Sequence, residues 1–410
     1  QQNYTHPILG VATDTRASRH MITSQLYTAL SLYESTIIDH AILPTPGLIA
    51  LAQKHTYTCS IMITASHNAY TDNGIKIFGP VGEKLSQDTE MYLTELAKQA
   101  YTHPEYFEQE TAFFKTMTCA HYIRKHDALS TYKHFLLHRC APDLTNKRIV
   151  LDAAAGATHH IAPLVLRACG AEVIPIAPTP DGYNINATCG STHPRTLQEA
   201  VIQNKADCGF AFDGDGDRVI AANTEGTIKD GDDILAMLLD HPAYRLESHC
   251  IGTDMSNMGL EEYCSNKNIT FVRTKVGDKY VANALSYYDA HIGGEASGHI
   301  ILSDMHSTGD GLLTTLRLLE TMQTTHNWKM KSISKYVQVI ENIPVSKKYP
   351  LEETPLRDII HAYKTQIDGR IVTRYSGTEP VLRIMIESKN TQQAHSIGYN
   401  IRNDILQQLG

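Results

Sequence analysis

Apolar runs in this 410-residue chain recur in one order: a helical stretch, a β-rich run, then a loop of glycine and polar residues. The first instance runs from Pro46 through an Ala/Leu segment to Cys59–Thr64 and the loop that holds Ser66. In the second, a strand Arg148–Asp152 leads to Gly156-Ala157-Thr158, a helix to Cys169, a strand Glu172–Ile176, and a strand Asp207–Phe212 that ends on an acidic loop. The third follows Gly252-Thr253-Asp254 with a helix near Leu260, a strand Ile269–Arg273 and the loop Lys275-Val276-Gly277-Asp278. Helices alternating with short apolar strands predict α/β units with ligand loops at the strand ends.

After Tyr336 the pattern changes. A strand through Val339–Val345, a helix from Leu356, strands Ile371–Thr373 and Val381–Glu387, and a final helix from Thr391 predict a separate small α+β domain. Polar, turn-rich joints near Asn146, Pro242–Ser248 and Lys335–Tyr336 divide the chain into residues 1–146, 147–244, 245–336 and 337–410. The likeness among the first three units suggests one repeated architecture but is too degenerate to prove duplication. Tyr101–Asp127, rich in Thr, His and Phe, reads as an irregular excursion of the first domain.

Composition narrows the class. Hydrophobic residues make up 42% and charged residues 20%, and no apolar run approaches the ~18 residues of a membrane span. Nothing at the start resembles a signal peptide. Net charge is 36 − 44 = −8 without a long basic run, which speaks against nucleic acid as a partner. An anionic substrate must therefore be captured by local groups. Eight cysteines without C-x-x-C pairs predict buried, reduced thiols in a cytoplasmic protein, not disulfides or zinc. The sequence opens at Gln1, so either a leading segment is missing or the native start lies upstream.

Two loops carry the candidate chemistry. Thr64-Ala65-Ser66-His67-Asn68 closes an apolar run, and Asp72-Asn73-Gly74-Ile75-Lys76 follows, so a hydroxyl nucleophile lies near His67 and Lys76. Alone, Ser66 reads as a turn cap and Lys76 as a solvent-facing strand residue. Asp213-Gly214-Asp215-Gly216-Asp217-Arg218 changes that reading, because three carboxylates on one tight loop repel unless a cation neutralises them. An EF-hand is excluded: its sixth position is Arg218 and its twelfth Thr224. Carboxylates with open coordination positions suit Mg²⁺ bridging protein and phosphate oxygens. Serine and a hard-cation site together point to phosphoryl transfer.

Two further loops fit a sugar phosphate. In Gly294-Glu295-Ala296-Ser297-Gly298-His299, a carboxylate and a hydroxyl two residues apart can bind neighbouring sugar hydroxyls or an amine; a plain hairpin turn is the alternative. Arg374-Tyr375-Ser376-Gly377-Thr378-Glu379-Pro380 gathers a guanidinium, hydroxyls and backbone N–H groups into a phosphate cradle by donor count, against an ordinary turn with a surface arginine. His299 reads as a packing residue and Arg383 as an exposed strand residue.

These four loops, in this order and across almost the whole chain, resemble the α-D-phosphohexomutase family. Leu43-Pro44-Thr45-Pro46, Gly156-Ala157-Thr158, Asn184-Ile185-Asn186, Met255-Ser256-Asn257-Met258-Gly259 and Lys275–Asp278 are most similar to its bacterial amino-sugar branch. The resemblance implies an α/β fold of four domains around a central cleft, three related mixed α/β units and a C-terminal α+β domain. It implies phosphorylation of Ser66, with Mg²⁺ held by Ser66, Asp213, Asp215 and Asp217. It further implies interconversion of glucosamine 6-phosphate and glucosamine 1-phosphate through a 1,6-bisphosphate, feeding UDP-N-acetylglucosamine and cell-wall synthesis. A hexosamine or glucose 1,6-bisphosphate would serve as activator. Arg218 would offset phosphoryl charge, and His67 and Lys76 both stay open for the proton. Lys275, Glu295 and Ser297 would bind the sugar, and Arg374, Ser376, Gly377 and Thr378 the phosphate that is not reacting. The expected partner is a small-molecule sugar phosphate, with no nucleic acid and no membrane; a homodimer is left open. Phosphomannomutase or phosphoglucomutase activity, or a catalytically silent sugar-phosphate-binding homologue, are the alternatives. Family members carry an N-terminal strand and glycine/arginine loop ahead of the segment resembling Val11–Arg16, and this sequence does not show it; if the segment is merely absent from the given sequence, function stands, and if the native protein lacks it, the first domain has lost a strand and helix.

Overall fold

The computed structural model of the chain describes residues 6–103, 120–176, 179–345, 350–351, 356–376 and 380–409. Its first sheet contains β1 (Ile8–Thr13), β2 (Thr36–Ile42), β3 (Cys59–Ile63), β4 (Ile75–Phe78) and β5 (His121–Arg124), in the order β4-β3-β1-β2-β5. Parallel neighbours need crossovers, and the helices Arg19–Leu30 and Thr45–Lys54 supply them on opposite faces. Only β4 runs antiparallel, against β3.

The second sheet is β10-β9-β8-β6-β7, built from β6 (Arg148–Asp152), β7 (Glu172–Pro175), β8 (Cys208–Phe212), β9 (Val219–Asn223) and β10 (Ile228–Lys229). In the third, β11 (His249–Thr253), β12 (Thr270–Thr274), β13 (Ile292–Gly294) and β14 (Ile300–Leu302) take the order β12-β11-β13-β14. The fourth is antiparallel throughout: β15 (Val337–Pro344), β16 (Gly369–Tyr375) and β17 (Val381–Ser388), ordered β15-β17-β16 and followed by the helix Thr391–Leu409.

One device recurs in all four sheets. Each candidate loop joins two antiparallel neighbours: β3 to β4 around Ser66, β8 to β9 around Asp213–Arg218, β13 to β14 around Glu295, and β16 to β17 beyond Arg374. In the first three sheets the incoming strand also pairs in parallel with a neighbour, so the loop leaves the carboxyl end of a parallel sheet. Ligand loops in α/β sheets sit at that end.

A single apolar cluster runs from Ala12 to Met330 and so is shared by the first three sheets. The fourth sheet has its own cluster, with Ile343, Leu382, Ile384, Ile401 and Ile405 buried against one another. The excursion expected over Tyr101–Asp127 needs correction in part. Residues 104–119 lie outside the described residues, but His121–Arg124 is a regular strand, β5, parallel to β2. Its side chains are exposed, which hides it from a hydrophobicity pattern. Two of them fix it nonetheless: the Tyr122 hydroxyl and the Arg124 guanidinium each donate to buried Asp39 Oδ2 at 2.5 Å. No described helix is long and apolar enough to cross a membrane, and the seven described cysteines are free thiols.

Candidate active site

Ser66 sits three residues beyond β3 with φ of 51°, in the left-handed region that non-glycine residues seldom occupy. Buried groups hold it there. The Arg16 guanidinium is fully buried, pairs with Asp14 at 2.9 Å, and donates to the carbonyls of Ser66 (3.0 Å), Asn68 (2.8 Å), Asp72 (3.0 Å) and Ala69. From the second sheet, Asn186 Nδ2 reaches the same Ser66 and Asn68 carbonyls at 2.8 and 2.9 Å. Thr64 Oγ1 accepts the Ser66 N–H at 2.9 Å, so the loop is set by donors and acceptors on three sides.

Against it lies the acidic loop. Ser66 Oγ donates to Asp213 Oδ2 at 2.6 Å across 147 residues of sequence. Close approach depends on glycine: a Cβ on Gly214 would come within 2.5 Å of the Ser66 carbonyl oxygen. Asp213, Asp215 and Asp217 are all buried, and one oxygen from each lies within 4.8 Å of the others. Burial, then Asp217 and Asp215, push the Asp213 carboxyl well above the usual range. Asp217 is held below it despite its burial, by Lys76, His299 and Arg218. Asp215 Oδ1 and Asp217 Oδ1 are buried without a hydrogen-bond partner. Orphaned carboxylate oxygens around a shared point fit a divalent cation with oxygen ligands.

The nitrogen groups are divided in role. Lys76 Nζ donates to Asp215 Oδ2 at 2.7 Å and to Asp217 Oδ2 at 3.2 Å, and the two carboxylates raise its pKa against the pull of burial. Thr45 also donates to Asp215 Oδ2. His67 Nδ1 is 3.5 Å from Ser66 Oγ and 3.1 Å from Arg218 Nη1; burial and then Arg218 lower its pKa. Arg218 thus touches both the serine loop and the acidic loop.

The third sheet joins this cluster through its backbone. Arg218 and His299 form an antiparallel bridge, and the Val219 N–H donates to the Gly298 carbonyl at 3.0 Å. Glu295 Oε1 accepts the Gly277 N–H at 2.9 Å, which links the Gly294–His299 loop to the Lys275–Asp278 loop. Ser297 and Lys275 are exposed. His299 is buried, with Nε2 3.7 Å from Asp278 and Nδ1 unpartnered. Lys76, Asp217 and Asp278 line one cavity of about 410 Å³, which opens from the acidic loop between the first and third sheets.

Arg374 lies apart from these side chains. It lines a second cavity, of about 540 Å³, with Met255 of the third unit and Asn342 and Arg383 of the fourth. Ser376 is buried beside it; Gly377 and Thr378 fall outside the described residues. The structure brings the predicted residues Ser66, His67, Lys76, Arg218 and the three aspartates together, and adds Arg16, Thr45 and Asn186, which hold them and to which the sequence motifs gave no role. The charged run Asp14-Thr15-Arg16 at the end of β1 was the one available signal for the first of these.

Models of the phosphoglucomutase/phosphomannomutase α/β/α domains I, II and III match residues 1–103, 131–226 and 230–343, and that of the C-terminal domain matches residues 342–403. A phosphoglucosamine mutase of Desulforamulus reducens is 37% identical over 406 residues, covering 97% of this chain and 90% of that relative. The chain belongs to the phosphoglucomutase/phosphomannomutase family. Solved structures share the fold. A protein of the family from Burkholderia thailandensis superposes with a TM-score of 0.77 at 21% identity, covering 97% of this chain and 88% of that one. The Aspergillus fumigatus N-acetylphosphoglucosamine mutase, solved with GlcNAc-6P and magnesium, superposes with a TM-score of 0.67 at 17% identity, over 88% of this chain and 92% of that one.

Proposed function

We propose that the chain is an intramolecular phosphotransferase that interconverts glucosamine 6-phosphate and glucosamine 1-phosphate through a phosphorylated Ser66. One observation carries the reading: Ser66 Oγ lies 2.6 Å from Asp213, beside an acidic triad with two orphaned oxygens. Relatives with 37% identity bear the corresponding name, which favours the amino sugar over mannose or glucose phosphates.

The residues divide the work. Ser66, Asp213, Asp215 and Asp217 would hold Mg²⁺, which when bound neutralises charge on the transferring phosphoryl group. A sugar hydroxyl oxygen attacks the phosphorus on Ser66; the phosphorus–Oγ bond breaks, and the proton of that hydroxyl passes to a basic group of the site. The sugar, now a 1,6-bisphosphate, turns end for end. Ser66 Oγ then takes the other phosphoryl group, and the proton is returned to the sugar oxygen. Arg218 supports the phosphoryl oxygens by charge. Glu295, Ser297 and Lys275 orient the sugar ring, and Arg374, Ser376, Gly377 and Thr378 bind the distal phosphate in either orientation. A hexosamine or glucose 1,6-bisphosphate would load Ser66.

Kinetics with glucosamine, mannose and glucose phosphates test substrate choice: a large preference for a neutral sugar sinks the amino-sugar assignment. Intact mass after incubation with a 1,6-bisphosphate tests the carrier, since an unmodified Ser66 would favour a silent binding protein. Lys76→Met and His67→Gln separate the proton carriers: loss of about 10²–10⁴-fold in turnover is expected for the group that moves the proton.

A further inference from the structure

A third cavity, of about 260 Å³, lies at the carboxyl ends of β1 and β2, lined by Thr13, Ala41, Arg19, Arg124 and His160 among others. It sits at a topological switch. The helix Arg19–Leu30, which follows β1, packs its Ile22 and Leu26 against Leu9, Val11 and Ile37. The helix Thr45–Lys54, which follows β2, packs its Leu48 and Ile49 into the cluster on the opposite face. Adjacent parallel strands whose connections leave to opposite faces open a crevice between them, and α/β sheets place ligands there.

Charge in this crevice is unbalanced. Asp39 is buried and its oxygens are already taken: Oδ2 by Tyr122 and Arg124 at 2.5 Å, Oδ1 by the Ala41 N–H at 2.8 Å. Arg124 therefore answers Asp39. Arg19 lines the same cavity, and its guanidinium has no hydrogen-bond or ion-pair partner among the described residues. Burial disfavours its charge most; Asp14 then supports it, Arg124 opposes it and Asp39 supports it, with neither carboxylate within ion-pairing distance. A half-buried guanidinium without a counter-ion, in a chain of net charge −8, leaves room for an anion that accepts several N–H bonds.

We propose that this crevice is a second anion site, separate from the Ser66–Asp213 cluster, and that it takes a phosphate group through Arg19 with Arg124 and His160 at its rim. Tetrahedral oxyanions match a guanidinium fork, and small phosphorylated metabolites and free phosphate share that group. Crystals of the full chain grown without sulfate or phosphate and soaked in selenate are expected to show anomalous density within hydrogen-bond reach of the Arg19 guanidinium. An empty map at Arg19, whether or not the acidic loop takes up the ion, overturns the proposal and leaves the mutase reading untouched. In solution, Arg19→Gln is expected to weaken inorganic phosphate binding at one site roughly tenfold with circular dichroism unchanged. Identical isotherms for the two proteins count against it equally. Titration with inorganic phosphate and with a sugar phosphate distinguishes the two sources: tighter binding of the sugar phosphate to wild type, lost in Arg19→Gln, identifies a metabolite, and equal binding identifies the free ion.

Discussion

The two regions proposed to bind the phosphates of the substrate are built in opposite ways. The Ser66–Asp213 cluster lies between sheets that share one apolar core from Ala12 to Met330, and buried polar groups bolt its loops together. The Arg374 cradle belongs to a unit with its own core, joined to the third unit by polar contacts. Arg370 donates to the carbonyls of Asp254 and Ser256 at 2.9 and 2.5 Å, Glu387 accepts from Met258 N at 2.8 Å, and the Asn257 side chain clamps the backbone of Tyr336. Separating a shared core exposes apolar surface at roughly 25 cal/mol per Å², whereas a polar joint can turn and keep or exchange its hydrogen bonds. On the proposed function, chemistry falls to the block and any adjustment to the tail.

The comparison can be broken by experiment, first at the reacting group. Ser66→Ala is expected to lower turnover on the order of 10⁴-fold or more while leaving folding cooperative. Retained turnover would move the chemistry out of the block. Arg374→Ala should lower kcat/KM by roughly 10²–10³-fold without preventing Ser66 phosphorylation by a bisphosphate. If phosphorylation falls in step, tail and block are not separable in role. Arg16→Met removes one partner of a buried pair and should destabilise the block by about 3–5 kcal/mol in urea unfolding. A loss under about 1 kcal/mol would mean that Asn186 and Thr64 hold the loop unaided.

The smallest effect concerns pH behind the joint, where the second unit holds the backbone of Asn257. Burial, and then Asp230, push Asp232 up to about 7 from its ordinary 3.8, and its Oδ2 accepts the Asn257 N–H at 2.8 Å. The folded state therefore keeps a proton that the unfolded carboxyl releases. Its contribution to stability is complete below 3.8 and is lost as pH rises through about 7. Asp232→Asn should lose less stability than wild type between about pH 4 and about pH 7; parallel curves would remove Asp232 from the joint's energetics.

The candidate site residues were legible in the sequence because each occupies one short loop. Three aspartates on alternate positions repel wherever the loop sits, so their need for a cation is a local fact. Apolar runs likewise gave the strands, with β6 and β8 falling within a residue of expectation. What supports the site was hidden because it acts at long range. Arg16 shows its role only when the fold brings Ser66, 50 residues away, onto its guanidinium. Thr45 meets Asp215 across 170 residues, and Asn186 meets Ser66 across 120. β5 was missed for another reason: its side chains are all exposed, and its place depends on Asp39, which lies 83 residues upstream of Tyr122.

A core held in common also sets an order of manufacture. Tyr132 closes on Asp310, and Cys140 on Glu320, so the helix Ala128–Arg139 that follows β5 waits for a partner 178 to 180 residues further along. As the chain leaves the ribosome, its early α/β units must remain with apolar faces uncovered until the helix Gly311–Thr324 has been synthesised. The last unit, with a core of its own, can complete itself afterwards. Nascent chains halted before that helix are therefore expected to be the ones holdases capture, and equal capture of longer chains would count against a shared core setting the order.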